Sequence, residues 1–237
     1  MSGIRAVIFD CYSTLIDIKT NEEKDEVYNY LSLYLQYYGT KLDAEKLKSA
    51  FYKEKERYLQ SQKERYSEVD LEIVFSNILK KEGLDNPLLV ESCCKLHRVL
   101  SRERFQLFPD GLPVLEELKK GGYPIAVLSD AQKAYCFEEG EILRLNQFFD
   151  CFVASTQFGF RKPDPRLFTL ACTLLDVPPT EAVYIGNEPE TDVKGAKQIG
   201  MQAILLDREA KNRNQEQELD FYATNLWEAW EWIKRST

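Results

Sequence analysis

Ile4-Arg5-Ala6-Val7-Ile8-Phe9-Asp10-Cys11-Tyr12-Ser13-Thr14-Leu15 decides the reading of this chain. A short apolar run rich in β-branched residues reads as a buried, parallel strand. Asp10 sits where that strand ends, with the small polar pair Ser13-Thr14 just beyond it. In open parallel sheets, ligands bind outside the carboxyl ends of the strands. A carboxylate placed there serves chemistry or, more plainly, caps a turn. The stretch alone leaves both readings open.

The same pattern recurs downstream. Residues 123–130, 151–155, 182–187 and 202–207 are apolar runs that end in small or polar residues. Between them, apolar spacing predicts helices over 112–120, 136–145, 165–175 and 191–199, with a last one over 225–234. Strands alternating with helices imply a parallel sheet covered on both faces. From 21 to 104 the texture is helical and no strand is expected. Val27, Leu31, Tyr34 and Tyr38 keep helical spacing up to Gly39, and Asp43 N-caps a second helix through Tyr58. Leu71, Val74, Phe75, Ile78 and Leu79 mark a third that Gly83 stops, and a fourth covers 87–100. Eight of the 13 tyrosines fall between Tyr28 and Tyr66, as helix-packing core with some available to line a cleft. The fold class is therefore α/β. A discontinuous core of residues 1–16 and 105–237 carries an all-helical insertion over 17–104, and 208–218 reads as a solvated loop.

Composition narrows the function. The 237 residues are 44% hydrophobic and 30% charged, as in an ordinary globular protein. A net charge of −8 argues against a general nucleic-acid binder. No apolar run reaches membrane-spanning length, and Met1 to Ile4 leads straight into the first strand, so a cytoplasmic protein without a targeting peptide is expected. The six cysteines form no CxxC pair and read as reduced thiols. Cys11 invites a nucleophile reading, but a buried cysteine usually acts as a small hydrophobe. His97 is the single histidine, on an amphipathic helix, which excludes a His-rich metal site. Oligomeric state stays open.

Four strand ends gather polar residues: Asp10 with Thr14, Ser129 with Asp130, Lys162 before Pro163-Asp164-Pro165, and Gly186-Asn187 running on to Asp192 and Gly195-Ala196. Each has a plain structural explanation; four at one sheet edge do not. The set resembles the haloacid dehalogenase superfamily, dominated by phosphatases, in motif order and spacing over the whole core. The insertion after the first motif is similar to that family's helical cap, on a Rossmann-like core. The resemblance implies roles. Asp10 would be the nucleophile, forming a covalent aspartyl intermediate. Thr14 and Ser129, with Asp130 and Asn187, would bind substrate, and Lys162 would neutralise developing charge. Asp10, the backbone carbonyl of Tyr12, Asn187 and Asp192, joined by Glu188 or Glu190, would hold Mg²⁺. The cap would exclude water.

Two positions depart from the phosphatase pattern. The family's phosphatases usually carry a second Asp where this chain has Tyr12, and an Asp where it has Asn187. An alkoxide leaving group wants a proton, help worth about 10²–10⁴-fold, and a tyrosine with an ordinary pKa of about 10 is a poor carboxylic acid. The superfamily's metal-independent 2-haloacid dehalogenases also have Tyr and Asn there, and a halide needs no proton. Their compact Ser-Asn-x-Trp-Asp fourth motif is missing here, and Lys41, Arg57 and Arg65 are the candidate cations for a substrate carboxylate. The leading expectation is a Mg²⁺-dependent phosphatase acting on a small anionic metabolite. A 2-haloacid dehalogenase is the alternative, and a catalytically impaired homologue that binds a ligand or partner is the second alternative.

Overall fold

Strand β1 (Ala6–Phe9) is buried along its whole length. In the computed structural model, which describes residues 3–210 and 218–236, its side chains alternate between two cores, as the two-residue period of a strand requires. Val7 and Phe9 join the helices α5 (Gly111–Lys120) and α9 (Leu226–Arg235) on one face. Ala6 and Ile8 join α7 (Pro165–Leu174) and α8 (Lys194–Gln198) on the other. β1 pairs in parallel with β4 (Ile125–Ser129) on one side and β6 (Ala182–Gly186) on the other. Beyond them lie β5 (Cys151–Ala154), then β7 (Gln202–Leu206) and β8 (Phe221–Ala223), in the order β5-β4-β1-β6-β7-β8. Counted within this sheet the order is 3-2-1-4-5-6, so the connections reverse direction beside β1. Its carboxyl end, where Asp10 stands, is the topological switch point.

The four expected helices of the insertion are α1 (Asp25–Tyr37), α2 (Ala44–Ser61), α3 (Leu71–Lys81) and α4 (Pro87–Ser101). Their starts follow capping chemistry. The Asp43 carboxylate accepts from Lys46 N–H at 2.8 Å, Asp70 from Glu72 N–H at 2.9 Å, and Asn86 precedes Pro87. The four share a core of their own around Phe51, Phe75, Leu31 and Leu79, onto which Tyr135 of α6 (Lys133–Ile142) also packs.

Three features differ from expectation. β2 (Ile16–Thr20) and β3 (Arg102–Leu107) form an antiparallel ribbon, paired Ile16↔Leu107 and Ile18↔Phe105, which spans both junctions of the insertion. Its β3 strand begins inside the stretch read as strand-free, because its outward positions are charged: Arg104 meets Asp17 at 2.7 Å and Glu103 meets Lys19 at 2.9 Å. β8 adds a sixth strand to the expected five, too short to show periodicity. The helix expected over 191–199 opens as a π-helical turn, Pro189–Val193, before α8. Of the expected loop over 208–218, residues 211–217 lie outside those described. Among the described residues no helix is long and apolar enough to cross a membrane.

His97 lies inside the helical core, stacked on Phe51 at 4.8 Å between centroids, and its Nε2 has no hydrogen-bond partner among the described residues. Burial holds its pKa down to about 4, against an ordinary 6.5. Between those values the unfolded chain binds a proton that the folded chain does not, so stability is full above about pH 6.5 and falls as the pH drops toward 4. Urea unfolding between pH 4 and 7 checks this: His97→Leu should flatten the acid slope, and an unchanged slope contradicts it.

Candidate active site

The ladder of β1 runs one residue past the strand, where Asp10 N–H donates to Ile185 O at 2.9 Å. This fixes the Asp10 backbone and aims its side chain out of the sheet edge. The chain then folds tightly: Leu15 N–H and Ile16 N–H both donate to Cys11 O, at 2.8 and 3.0 Å, and Ser13 takes a left-handed φ of 63°. That turn brings Thr14 back over Asp10. Asp10 Oδ1 accepts from Ser129 Oγ at 3.1 Å and from Lys162 Nζ at 2.8 Å, while Oδ2 accepts a longer side-chain hydrogen bond from the Thr14 hydroxyl, at 3.4 Å.

Lys162 arrives from the loop between β5 and α7. Its backbone N–H donates to Asp130 Oδ1 at 2.9 Å, and its ammonium reaches Asp10, Asp192 Oδ1 at 2.6 Å and the Tyr184 hydroxyl at 3.1 Å. A lysine ammonium has three N–H donors, and each finds an acceptor here, although the side chain is only 4% exposed. Burial opposes its charge, but Asp10 and Asp192 outweigh burial and hold its pKa well above that of an ordinary lysine. Burial likewise pushes the Asp10 carboxyl up, to about 6, against the pull of Lys162.

Asp192 is held from the opposite side. Its Oδ2 accepts from Glu188 N–H at 2.9 Å across the π-helical turn. A side chain at Gly186 would run into the Asp192 carboxylate, which explains glycine there. Both Asp192 oxygens are thus engaged, Oδ1 by the Lys162 ammonium and Oδ2 by the Glu188 N–H. Asn187 Oδ1 faces the Thr14 hydroxyl at 3.3 Å, and Asn187 Nδ2 donates to Glu188 Oε1 at 3.2 Å. Asp10 Oδ2 and Asn187 Oδ1 therefore flank one hydroxyl, with the Glu188 carboxylate beside them. These hard oxygen donors fit a Mg²⁺ ion, which is typically bound by one or two carboxylates and fills its other positions with water and phosphate oxygens. No group of three His, Cys, Asp or Glu side chains among the described residues could hold a metal by itself. The formal charges of Asp10, Asp192 and Glu188 against Lys162 leave the site negative, which favours a cation and disfavours a bare anion.

Tyr12 points elsewhere. Its hydroxyl donates to Glu139 Oε2 at 2.6 Å, and Glu139 also takes two hydrogen bonds from Arg98, at 2.7 and 2.9 Å. The guanidinium lies over the rings of Tyr12 and Tyr135 at 4.9 and 4.8 Å. Burial, with Cys11 and Glu139, raises the Tyr12 pKa well above 10. A cavity of about 370 Å³ opens here between sheet edge and helical unit, walled by Tyr12, Asp130, Gln132, Lys55, Arg98 and Arg161 among others. Asp10, 5% exposed, is not on its wall, but Tyr12, two residues on, and Asp130, next to Ser129, are.

The structure thus brings Asp10, Thr14, Ser129, Lys162, Asn187 and Asp192 into one cluster and turns the Tyr12 side chain away from it. The cations beside the cavity are Lys55, Arg98 and Arg161, not the expected Lys41, Arg57 and Arg65. Sequence reasoning also passed over Glu139 and Tyr184. Neither has a positional signal: Tyr184 sits inside an apolar strand, and Glu139 is one of three Glu residues in a short stretch, with Glu138 and Glu141.

A family model described as haloacid dehalogenase-like hydrolase matches residues 4–200. A glyceraldehyde 3-phosphate phosphatase of Methanopyrus kandleri is 29% identical over 56% of this chain and 58% of its own length. An (S)-2-haloacid dehalogenase of Pseudomonas sp. strain CBS-3 is 25% identical over 88% of this chain and 86% of its own. The chain spans about half the length of several curated phosphatases it matches. Among solved structures, a 2-haloacid dehalogenase from Pseudomonas syringae superposes with a TM-score of 0.73 over 99% of this chain and 100% of that one, at 22% identity, which speaks for the fold.

The Tyr12–Glu139–Arg98 contacts generate a ranked stability prediction. Tyr12→Phe removes one hydrogen bond to a carboxylate and should cost about 1.5–3 kcal/mol. Arg98→Met strips the buried Glu139 carboxylate of its nearer counter-ion, leaving Arg102 at 3.8 Å, and should cost about 3–5 kcal/mol. Urea denaturation checks the order, and equal losses would show that Arg98 does not carry the buried charge.

Proposed function

The chain belongs to the haloacid dehalogenase-like hydrolases, and from that premise we propose that it hydrolyses a small phosphate ester through a covalent Asp10 intermediate, with Mg²⁺ beside that carboxylate. The observation that carries this reading is the asymmetry of Asp10. Oδ1 is clamped by the Ser129 and Lys162 side chains, whereas among the described residues the side-chain hydrogen bond to Oδ2 is a long one from Thr14. A nucleophile needs one oxygen oriented and one free. In the first half-reaction Oδ2 attacks phosphorus and the ester oxygen departs with the bonding pair. In the second, water attacks the aspartyl phosphate, releasing phosphate and restoring Asp10. Lys162 offsets charge on the carboxylate, and the Thr14 hydroxyl can turn to donate to a phosphoryl oxygen; a preorganised donor of this kind is typically worth about 10²–10³-fold. Asp10, the Tyr12 carbonyl and Asn187 would hold Mg²⁺, with Glu188 adding charge and Asp192 acting through Lys162. When bound, the ion supplies the positive charge that lets an anionic substrate enter a negative site. The four-helix unit serves as a cap, and the substrate is a small molecule in a cytoplasmic setting.

One observation favours a second reading. The Tyr12 proton is committed to Glu139, so Tyr12 offers none to a leaving group, and a halide needs none. The likeness to (S)-2-haloacid dehalogenase 1 also runs through the helical unit, and Lys55, Arg98 and Arg161 beside the cavity suit a carboxylate. A homologue that binds without turnover is what inactivity toward both substrate classes would indicate.

The readings separate in one assay. Phosphomonoesters and 2-haloacids are incubated with Mg²⁺ or with EDTA, and phosphate and halide are measured. EDTA-sensitive phosphate release is expected; metal-independent halide release would replace the leading reading with the second. Asp10→Asn should lower either activity by about 10⁴-fold or more, as loss of a nucleophile typically does, and an unaffected variant would remove Asp10 from the nucleophile's role.

A further inference from the structure

Resting on the phosphatase reading, we propose that Asp130 is the general acid that protonates the departing alkoxide and the general base that then activates water. In the first half-reaction the Asp130 proton passes to the ester oxygen as the P–O bond breaks, and the alcohol leaves neutral. In the second, the Asp130 carboxylate takes a proton from the attacking water as the P–Oδ2 bond breaks and its electron pair returns to Asp10. Asp130 ends protonated again, and phosphate carries the added oxygen.

The argument is positional. The residue that would ordinarily hold this proton is Tyr12, and its hydroxyl is taken by Glu139. Asp130 follows Ser129, whose hydroxyl touches Asp10, so it stands at the same sheet edge. Lys162 N–H fixes its Oδ1 at 2.9 Å, and Oδ2 accepts no hydrogen bond among the described residues. The side chain lines the cavity that opens beside Tyr12.

The other carboxyls nearby are engaged or elsewhere. Glu68 Oε2 accepts from Ser155 at 2.7 Å and its Oε1 from Val69 N–H at 2.9 Å. Glu22 faces Lys55 at 3.6 Å on the helical side. Glu188 belongs to the metal side of the site, where its Oε1 accepts from Asn187 Nδ2 at 3.2 Å. Burial above all, with Glu68 and Asp192, pushes the Asp130 carboxyl up to about 6 against the pull of Lys162. Arg98, Lys55 and Arg161 line the same cavity. A proton donor works best when its pKa lies near the working pH.

Asp130→Asn keeps an oxygen to accept from Lys162 N–H and removes only the proton chemistry. Wild type and variant are compared on glycerol 2-phosphate, whose alkoxide needs a proton, and on p-nitrophenyl phosphate, whose phenolate does not. The alkyl ester should lose about 10²–10⁴-fold in kcat/KM and the aryl ester less than about 10-fold. The wild-type decline in alkyl-ester kcat/KM above about pH 6 should vanish in the variant. Equal losses on both esters overturn the assignment, as does a wild type that cleaves only the aryl ester. Should the variant fail to fold, a series of aryl phosphates on the wild type decides: shallow dependence on leaving-group pKa supports Asp130, steep dependence overturns it. Phosphate release from neither ester overturns the phosphatase reading itself.

Discussion

The site is organised by one buried ammonium group. Lys162 Nζ touches Asp10 at the end of β1, Asp192 on the turn after β6, and Tyr184 within β6. Tyr184 in turn donates to Leu128 O of β4 at 2.8 Å. Three neighbouring strands are thereby tied together at their carboxyl ends. Taking such ions out of water costs several kcal/mol each. That cost is tolerable only because every donor on Lys162 finds an oxygen and each carboxylate has further partners. Removing any one member would strand a charge, so the cluster behaves as a unit.

The same cluster explains why so much of the site could be read from the chain. Asp10, Ser129, Lys162 and Asn187 each follow or border an apolar strand, and the carboxyl edge of a parallel sheet is where such residues converge. Periodicity locates the strand ends, and topology does the rest. Where periodicity is missing, so was the reading. The β2–β3 ribbon alternates charges and pairs Ile16 with Leu107 across the whole insertion. Arg98 meets Glu139 only because α4 packs against α6, and 41 positions separate them in the chain. The Tyr184 hydroxyl is hidden in a run whose other members are apolar.

Tyr12 shows how one substitution redistributes work. A side chain in this position could have faced the substrate; here it joins the contact between sheet and helical unit through Glu139 and Arg98. The loop after β1 is thereby attached to α4. The helical unit also reaches the lysine loop through its backbone, where Glu68 N–H donates to Gly159 O at 3.0 Å and Arg161 N–H to Tyr66 O at 2.8 Å. Both ends of the reacting cluster therefore lean on the same four helices.

The β2–β3 ribbon carries a consequence for how this protein can diversify. The chain leaves the sheet and comes back to it through paired neighbours, Ile16 and Leu107. The two cut points of the insertion are thus adjacent, and a plain hairpin turn could bridge them. Everything between them is a cassette: it can be lengthened, replaced by unrelated helices or trimmed without re-threading the sheet. Sequence change can accumulate there, and the contacts that Arg98, Tyr66 and Glu68 make with the sheet side are what such change would have to preserve.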